Sequence, residues 1–165
     1  MERTRWQMVR ELDSLFDDST SIANGYQVRN IALSDGQLIG RLLYDAYKGT
    51  IDDEGDDINA AIAEAQETLQ GRYGNVILDA SFAAFAESSD DFASITLVSE
   101  YPKANPLLAY AATHPQHQKR GLSTQLIRKS LAALKAAKVE RLHLVVTKEN
   151  VQAVRIYQRL GFHHI

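Results

Sequence analysis

Cysteine is absent from the chain, which excludes a disulfide framework, a thiolate zinc site and a cysteine nucleophile. Long apolar runs are missing too. No stretch is long and apolar enough to span a bilayer, and the first twenty residues carry charges throughout, without the apolar core of a secretory leader. A cytoplasmic location with no membrane partner is the expectation. An excess of positive charge is also lacking: 18 lysines and arginines face 21 aspartates and glutamates, a formal net charge of −3. A whole-protein basic field of the kind that carries general nucleic-acid binding is therefore not there, and no nucleic-acid partner is expected. Neither an internal repeat nor a low-complexity linker interrupts the sequence. What is there is a chain of 165 residues, 45% hydrophobic, long enough to bury the core of one domain without covalent staples.

Trp6, Val9, Leu12, Leu15 and Phe16 stand among charges in residues 1–18. That spacing predicts an amphipathic helix, ended by Ser19-Thr20-Ser21 and Asn24-Gly25. Residues 1–24 are thus read as a helical N-terminal arm, packed on the domain or on a second subunit, and residues 25–165 as a single domain. Tyr26–Leu33 alternates as a strand would. Ser34-Asp35 opens a helix through Leu38, Ile39, Leu42, Leu43 and Ala46. An acidic run, Asp52, Asp53, Glu54, Asp56 and Asp57, precedes a second helix through Ile58, Ala61, Ile62, Ala65 and Leu69. Three apolar runs follow at 75–86, 93–99 and 107–113, rich in Val, Ile, Phe and Tyr and broken by polar and proline-bearing turns. They predict an antiparallel meander. Beyond Pro115, Leu122, Leu126, Ser130, Ala133, Leu134 and Ala137 mark one face of a helix. Arg141–Thr147 reads as a buried strand, Asn150 opens a last helix that Gly161 closes, and Phe162–Ile165 begins a short strand. The strand–helix–strand unit from 107 to 147 requires a crossover, so its two strands are expected to run parallel. The fold class is α/β (α+β): a mixed, mostly antiparallel sheet with helices on both faces.

Two segments carry chemistry. Gln118-Lys119-Arg120-Gly121-Leu122-Ser123 lies between a strand and a helix. Free amides and the positive end of the helix dipole make such a place hospitable to a phosphate. Gly121 permits a positive φ or a close approach, Ser123 is small and can donate a hydroxyl, and Lys119 and Arg120 add charge. The glycine spacing is neither that of a P-loop nor that of a dinucleotide fingerprint. The second segment runs from Asn150 to Phe162. Asn150 suits an N-cap, and Ala153, Tyr157 and Leu160 share a helical face. A small residue at 153 leaves a gap over which Tyr157 can reach with its hydroxyl. Read separately, each of these residues is also an ordinary cap, small packing residue or core-edge tyrosine.

Together, in this order, they resemble the GNAT acetyltransferases. Gln118-x-x-Gly121-x-Ser123 is similar to that family's acyl-CoA loop, with Ser where Gly or Ala is usual. Asn150-x-x-Ala153-x-x-x-Tyr157-x-x-Leu160-Gly161-Phe162 resembles its next motif. The resemblance is specific from about 106 to 165. It implies that the strands at 107–113 and 141–147 are the family's splayed parallel pair, with the pantetheine arm of acetyl-CoA entering between them. Backbone groups near Ala111 and Thr113 would pair with that arm. Residues 118–123 (Gln118, Lys119, Arg120, Gly121, Leu122 and Ser123) would hold the pyrophosphate, and Asn150 would contact the cofactor. Tyr157 would protonate the departing thiolate.

The implied function is N-acetylation of a primary amine of a small metabolite by direct attack on acetyl-CoA. That chemistry needs no metal and no covalent enzyme intermediate. A strand N–H near Thr113 would stabilise the developing oxyanion. Three alternatives are an acetyltransferase acting on a protein or peptide N-terminus, a toxin-like enzyme acting on aminoacyl-tRNA, and a non-catalytic acyl-CoA-binding module. The chain stops four residues after Gly161, short of the family's usual seventh strand. An exposed edge would then invite a partner's strand, and a homodimer is expected on that ground. The acidic run 52–57 is read as a solvated loop whose last acids favour a helix start, with attraction of a cationic amine as the functional reading. Asp79, Glu87 and Glu100 are candidate bases and His114 is a strand-end residue. His163-His164 would point to opposite faces of a strand and not form a metal pair.

Overall fold

The computed structural model describes residues 3–12, 21–100 and 105–165. Seven strands form one sheet: β1 (Arg5–Glu11), β2 (Tyr26–Asn30), β3 (Phe82–Ala86), β4 (Ser94–Glu100), β5 (Pro106–Thr113), β6 (Arg141–Thr147) and β7 (His163–His164). Their order across the sheet is β2-β3-β4-β5-β6-β1-β7. Four α-helices cover it: α1 (Gly36–Tyr47), α2 (Ile58–Leu69), α3 (Leu122–Ala136) and α4 (Val151–Arg159). All pairings are antiparallel except β5 with β6. The expected mixed sheet with its parallel pair is therefore present. No helix among the described residues is long and apolar enough to cross a membrane.

The alternation of β4 divides the core. Ile95 and Leu97 join Ile39, Leu42, Leu43, Ala65 and Leu69 beneath α1 and α2. On the opposite face Val98 joins Ile127, Leu131 and Leu134 of α3, with Leu142, Leu144 and Val146 of β6. Helices α1 and α2 touch at Gly40, where an added Cβ would lie 2.4 Å from the Ile62 Cα. Any side chain there would have to push the two helices apart.

The N-terminal segment corrects the sequence reading. Residues 5–11 form a strand, not a helix, antiparallel to β6 from Arg5↔Thr147 to Glu11↔Arg141 and to β7 at Met8 and Val9. Leu15 and Phe16, which completed the helical spacing, lie outside the described residues. The strand period is present in Trp6, Met8 and Leu12, all packed in the α3–α4 core, but Arg10 interrupts it. Arg10 is buried because its Nε donates to the Leu160 carbonyl at 3.0 Å, at the end of α4. The edge expected to need a partner's strand is thus covered by the chain's own β1, and the argument for a dimer loses its premise. Two boundaries also differ. The run 75–86 holds a 3-10 turn at Leu78–Ala80 before β3 begins at Phe82, and the first expected strand ends at Asn30.

The entry to α1 is fixed by a buried ion pair. Asp35 is 5% exposed. It accepts from both terminal nitrogens of Arg29, at 2.8 and 2.9 Å, and from the Ala32 amide at 2.7 Å. Burial pushes the carboxyl pKa up, but the Arg29 and Ala32 hydrogen bonds and the guanidinium charge outweigh it and hold the pKa below its ordinary value. Asp35→Ala is expected to cost about 2 kcal/mol, less than a fully stranded buried charge because the Arg29 side chain is 41% exposed and can turn to water. Urea denaturation of both proteins checks this. Because the folded pKa is depressed, the gap between them should be full at neutral pH and shrink as pH falls below about 4.

Candidate active site

Parallel strands β5 and β6 are in register at one place, Leu107↔His143, and part beyond it. The parting has a local cause. In the β4–β5 ladder Leu97 pairs with Tyr110 and Val98 with Leu108, so Ala109 has no opposite residue. Such a bulge bends its strand and raises the local twist. Here it turns the second half of β5 away from β6. Backbone groups of Ala109–Thr113 on that side, and of Leu144–Thr147 opposite, are left to line a gap in the sheet.

A cleft of about 660 Å³ runs from this gap toward the start of α3. It is lined by Ala111, Thr113, Gln118, Lys119, Gly121, Leu122, Ser123 and Asn150, which are eight of the nine residues expected to hold the cofactor. Leu122 is 1% exposed, so its side chain belongs to the core and only its backbone faces the cleft. Arg120, the ninth, does not line it; its guanidinium stands over the Tyr26 ring, 5.9 Å from the centroid. Gly121 is the N-cap of α3, with φ +76°. That left-handed turn brings the first amides of a 15-residue helix to the cleft with no side chain in front of them.

These residues fit a pyrophosphate. Lys119 and Arg159 line the cleft, and the one carboxylate in its lining, Asp52, is shared with the second cavity described below. Among the polar lining residues that composition and motif did not pick out, three are notable. They are Thr124, Gln152 and His117, whose Nδ1 is 2.6 Å from the Tyr26 hydroxyl.

A second cavity, of about 360 Å³, opens on the far side of the gap. The two spaces share Tyr47, Asp52, Ala111, Asn150, Ala153 and Tyr157. Asn150 is committed at both ends of its amide. Its oxygen accepts from the Ala153 amide at 3.2 Å, capping α4, and its nitrogen donates to Asp52 at 3.0 Å. The Thr147 hydroxyl donates to the other Asp52 oxygen at 2.7 Å. The end of β6, the start of α4 and the acidic run are thereby tied together at the junction.

Tyr157 packs edge-on against Phe162, with ring centroids 5.9 Å apart. Its hydroxyl has no hydrogen-bond partner among the described residues. Burial first, and then the Asp52 charge, push its pKa up to about 12. The phenol therefore keeps its proton throughout the physiological range.

The acidic run is not one solvated face. Asp52 is at the junction, and Asp53 accepts from the Gly49 and Gly55 amides at 2.8 Å each. Glu54 lies 3.7 and 3.6 Å from Arg3 and Arg5, and Asp57 caps α2 through the Ala60 amide at 2.8 Å. The loop reading holds for Asp53 and Asp57 and fails for Asp52. Asp79, Glu87 and Glu100 line neither space. His114 caps the turn after β5, accepting from the Gln116 amide at 3.1 Å, with its Nε2 3.3 Å from Asp45. His163 contacts Glu11 and His164 stacks on Trp6, on opposite sides of β7.

A sheet parted after a parallel start, with a helix-capping glycine loop on one side and a tyrosine on the other, is the geometry that the family resemblance implied. The sequence profile of the Acetyltransferase (GNAT) family matches residues 4–162. The chain belongs to the GNAT family. No curated protein matches it significantly in sequence. Among solved structures it is similar to a GCN5-related N-acetyltransferase from Sphaerobacter thermophilus, with TM-score 0.76 and 16% identity over 99% of this chain and 49% of that one. A GNAT-family acetyltransferase from Novosphingobium aromaticivorans gives TM-score 0.62 at 22% identity, over 98% of this chain and 59% of that one. The PaiA N-acetyltransferase from Thermoplasma acidophilum, solved in complex with coenzyme A, gives 0.64 at 14% identity over 81% and 87%. The GNAT chain described here spans about half the length of the Sphaerobacter structure that it matches.

Proposed function

We propose that the protein transfers an acetyl group from acetyl-CoA to a primary amine of a small metabolite by direct attack. One observation carries this: the phosphate-suited cleft and the second cavity meet at the gap between β5 and β6, with Tyr157 and Asp52 both at the junction. In this reading the first amides of α3 and Lys119 bind the pyrophosphate, and the free edges of β5 and β6 take the pantetheine. The acetyl group is then delivered at the junction.

The amine attacks the thioester carbon from the smaller cavity. Unpaired β5 amides beside the bulge stabilise the oxyanion. As the carbon–sulfur bond breaks, Tyr157 gives its proton to the sulfur. The proton lost by the attacking nitrogen passes toward Asp52 and solvent, and returns the phenol to its neutral form. The modest volume of the acceptor cavity supports a small molecule over a peptide chain.

Calorimetric titration with acetyl-CoA, with free CoA as comparison, tests the donor side. Binding in the micromolar range is expected for both, followed by thiol release with suitable amines. Absence of binding to either would overturn the reading.

A further inference from the structure

Five of the chain's seven tyrosines, Tyr44, Tyr47, Tyr73, Tyr110 and Tyr157, line the acceptor cavity. Five carboxylates line it too, against two cationic side chains, Arg5 and Lys48. Both cations are engaged: the Lys48 ammonium donates to the Tyr44 hydroxyl at 2.6 Å and Arg5 faces Glu54. Carboxylates therefore outnumber cations in the lining by five to two, which disfavours an acceptor carrying a carboxylate or phosphate. Of the acids, Asp52, Asp53 and Glu54 have the partners described above. The side chains of Glu64 and Asp56 have no hydrogen bond or ion pair among the described residues, although Arg72, itself paired with Glu67, attracts the Glu64 carboxylate.

Glu64 is placed by α2. It sits one turn before Thr68, whose hydroxyl is 2.9 Å from that of Tyr110, so both side chains lie on the helix face that meets β5. Glu64 is also within electrostatic reach of Tyr47 on α1. A half-buried carboxylate without a direct ion pair, among tyrosine rings, is a site for an ammonium, which gains from both the charge and the ring faces.

Resting on the acetyltransferase reading above, we infer that the acceptor carries a second positive charge: it is a di- or polyamine whose non-reacting ammonium is held by Glu64 beside Tyr47 and Tyr110. The reacting amine lies at the other end of the cavity, at the Asp52–Tyr157 junction. Burial raises the Glu64 carboxyl pKa, Arg72 opposes the rise and Asp56, Glu54 and Glu67 add to it, so diamine binding weakens at acid pH sooner than an exposed glutamate would require.

The test compares 1,5-diaminopentane with pentylamine, phenylethylamine and lysine. Thiol release gives kcat/KM, and calorimetry on the protein with and without bound CoA reads acceptor binding directly, whether or not turnover follows. The diamine should exceed pentylamine about 30-fold in kcat/KM, with lysine penalised by its carboxylate. Added salt should narrow the gap. Glu64→Gln should raise the diamine's KM about tenfold and collapse its advantage, with acetyl-CoA affinity as the check on folding. Pentylamine or phenylethylamine matching the diamine, an advantage that survives Glu64→Gln, or no diamine binding to a protein that binds acetyl-CoA would each overturn the inference and leave the acetyltransferase reading standing. Failure to bind acetyl-CoA would instead sink that reading.

Discussion

Tyr157→Phe is expected to lower kcat about 100-fold while changing acetyl-CoA affinity less than about twofold. The substitution keeps the ring against Phe162 and removes one hydroxyl that has no partner among the described residues, so neither packing nor the cleft should suffer. In the proposed reaction, what goes is the proton for the leaving thiolate. With its pKa pushed up to about 12, the phenol is a weak acid that is always loaded. The wild-type rate should therefore show no alkaline limb belonging to Tyr157 below about pH 11. Steady-state thiol release paired with calorimetry separates the two effects. Unchanged turnover in the variant would remove Tyr157 from the role of acid.

Gly121→Glu is expected to weaken acetyl-CoA binding by more than about 100-fold, beyond what calorimetry at ordinary concentrations detects. Three effects act in the same direction. A side chain at φ +76° strains the turn, its bulk stands before the first amides of α3, and its charge repels a pyrophosphate. Gly121→Ala separates them, since it keeps the strain and lacks the reach and charge. An alanine Cβ meets the Gln125 amide nitrogen at 3.4 Å, a contact the fold can accept, so Ala should cost stability and only modest affinity. Retained binding in Gly121→Glu would place the pyrophosphate elsewhere.

The second half of the molecule is legible in the sequence because its elements are local and strongly marked. Residues 141–147 read as a strand with the bounds observed, the helix opened by Asn150 begins at Val151, and the crossover that joins 107–113 to 141–147 correctly requires a parallel pair. The cleft residues of 118–123 are legible as a motif, save that Arg120 turns to Tyr26. The N-terminal strand is not. Its period of two is broken at Arg10, and the reason for burying that arginine is a carbonyl 150 positions away. The acceptor cavity is equally hidden. Tyr44, Tyr47, Glu64, Tyr73 and Tyr110 come from α1, α2, the segment after it and β5. Each reads as an ordinary amphipathic or core residue until the fold gathers them. In the sequence Asp52 is one acid among five, and only its hydrogen bonds to Thr147 and Asn150 set it apart.

The position of β1 has a consequence for how the chain reaches this state. β1 leaves the ribosome before the other strands of the sheet, yet it fills the slot between β6 and β7, which emerge after the rest, with Arg5 opposite Thr147. Until then, β1 has only non-native neighbours and the β6 edge is bare. Closing so long a loop is slow because its entropy is lost before any contact repays it. The same strand brings Arg5 to Glu54 and Arg10 to the end of α4, bracing the acidic run and the helix that carries Tyr157. Assembly of the junction between the two cavities is therefore expected late in folding. A bulky fusion just ahead of β1 would act at a distance, delaying activity more than it delays compaction.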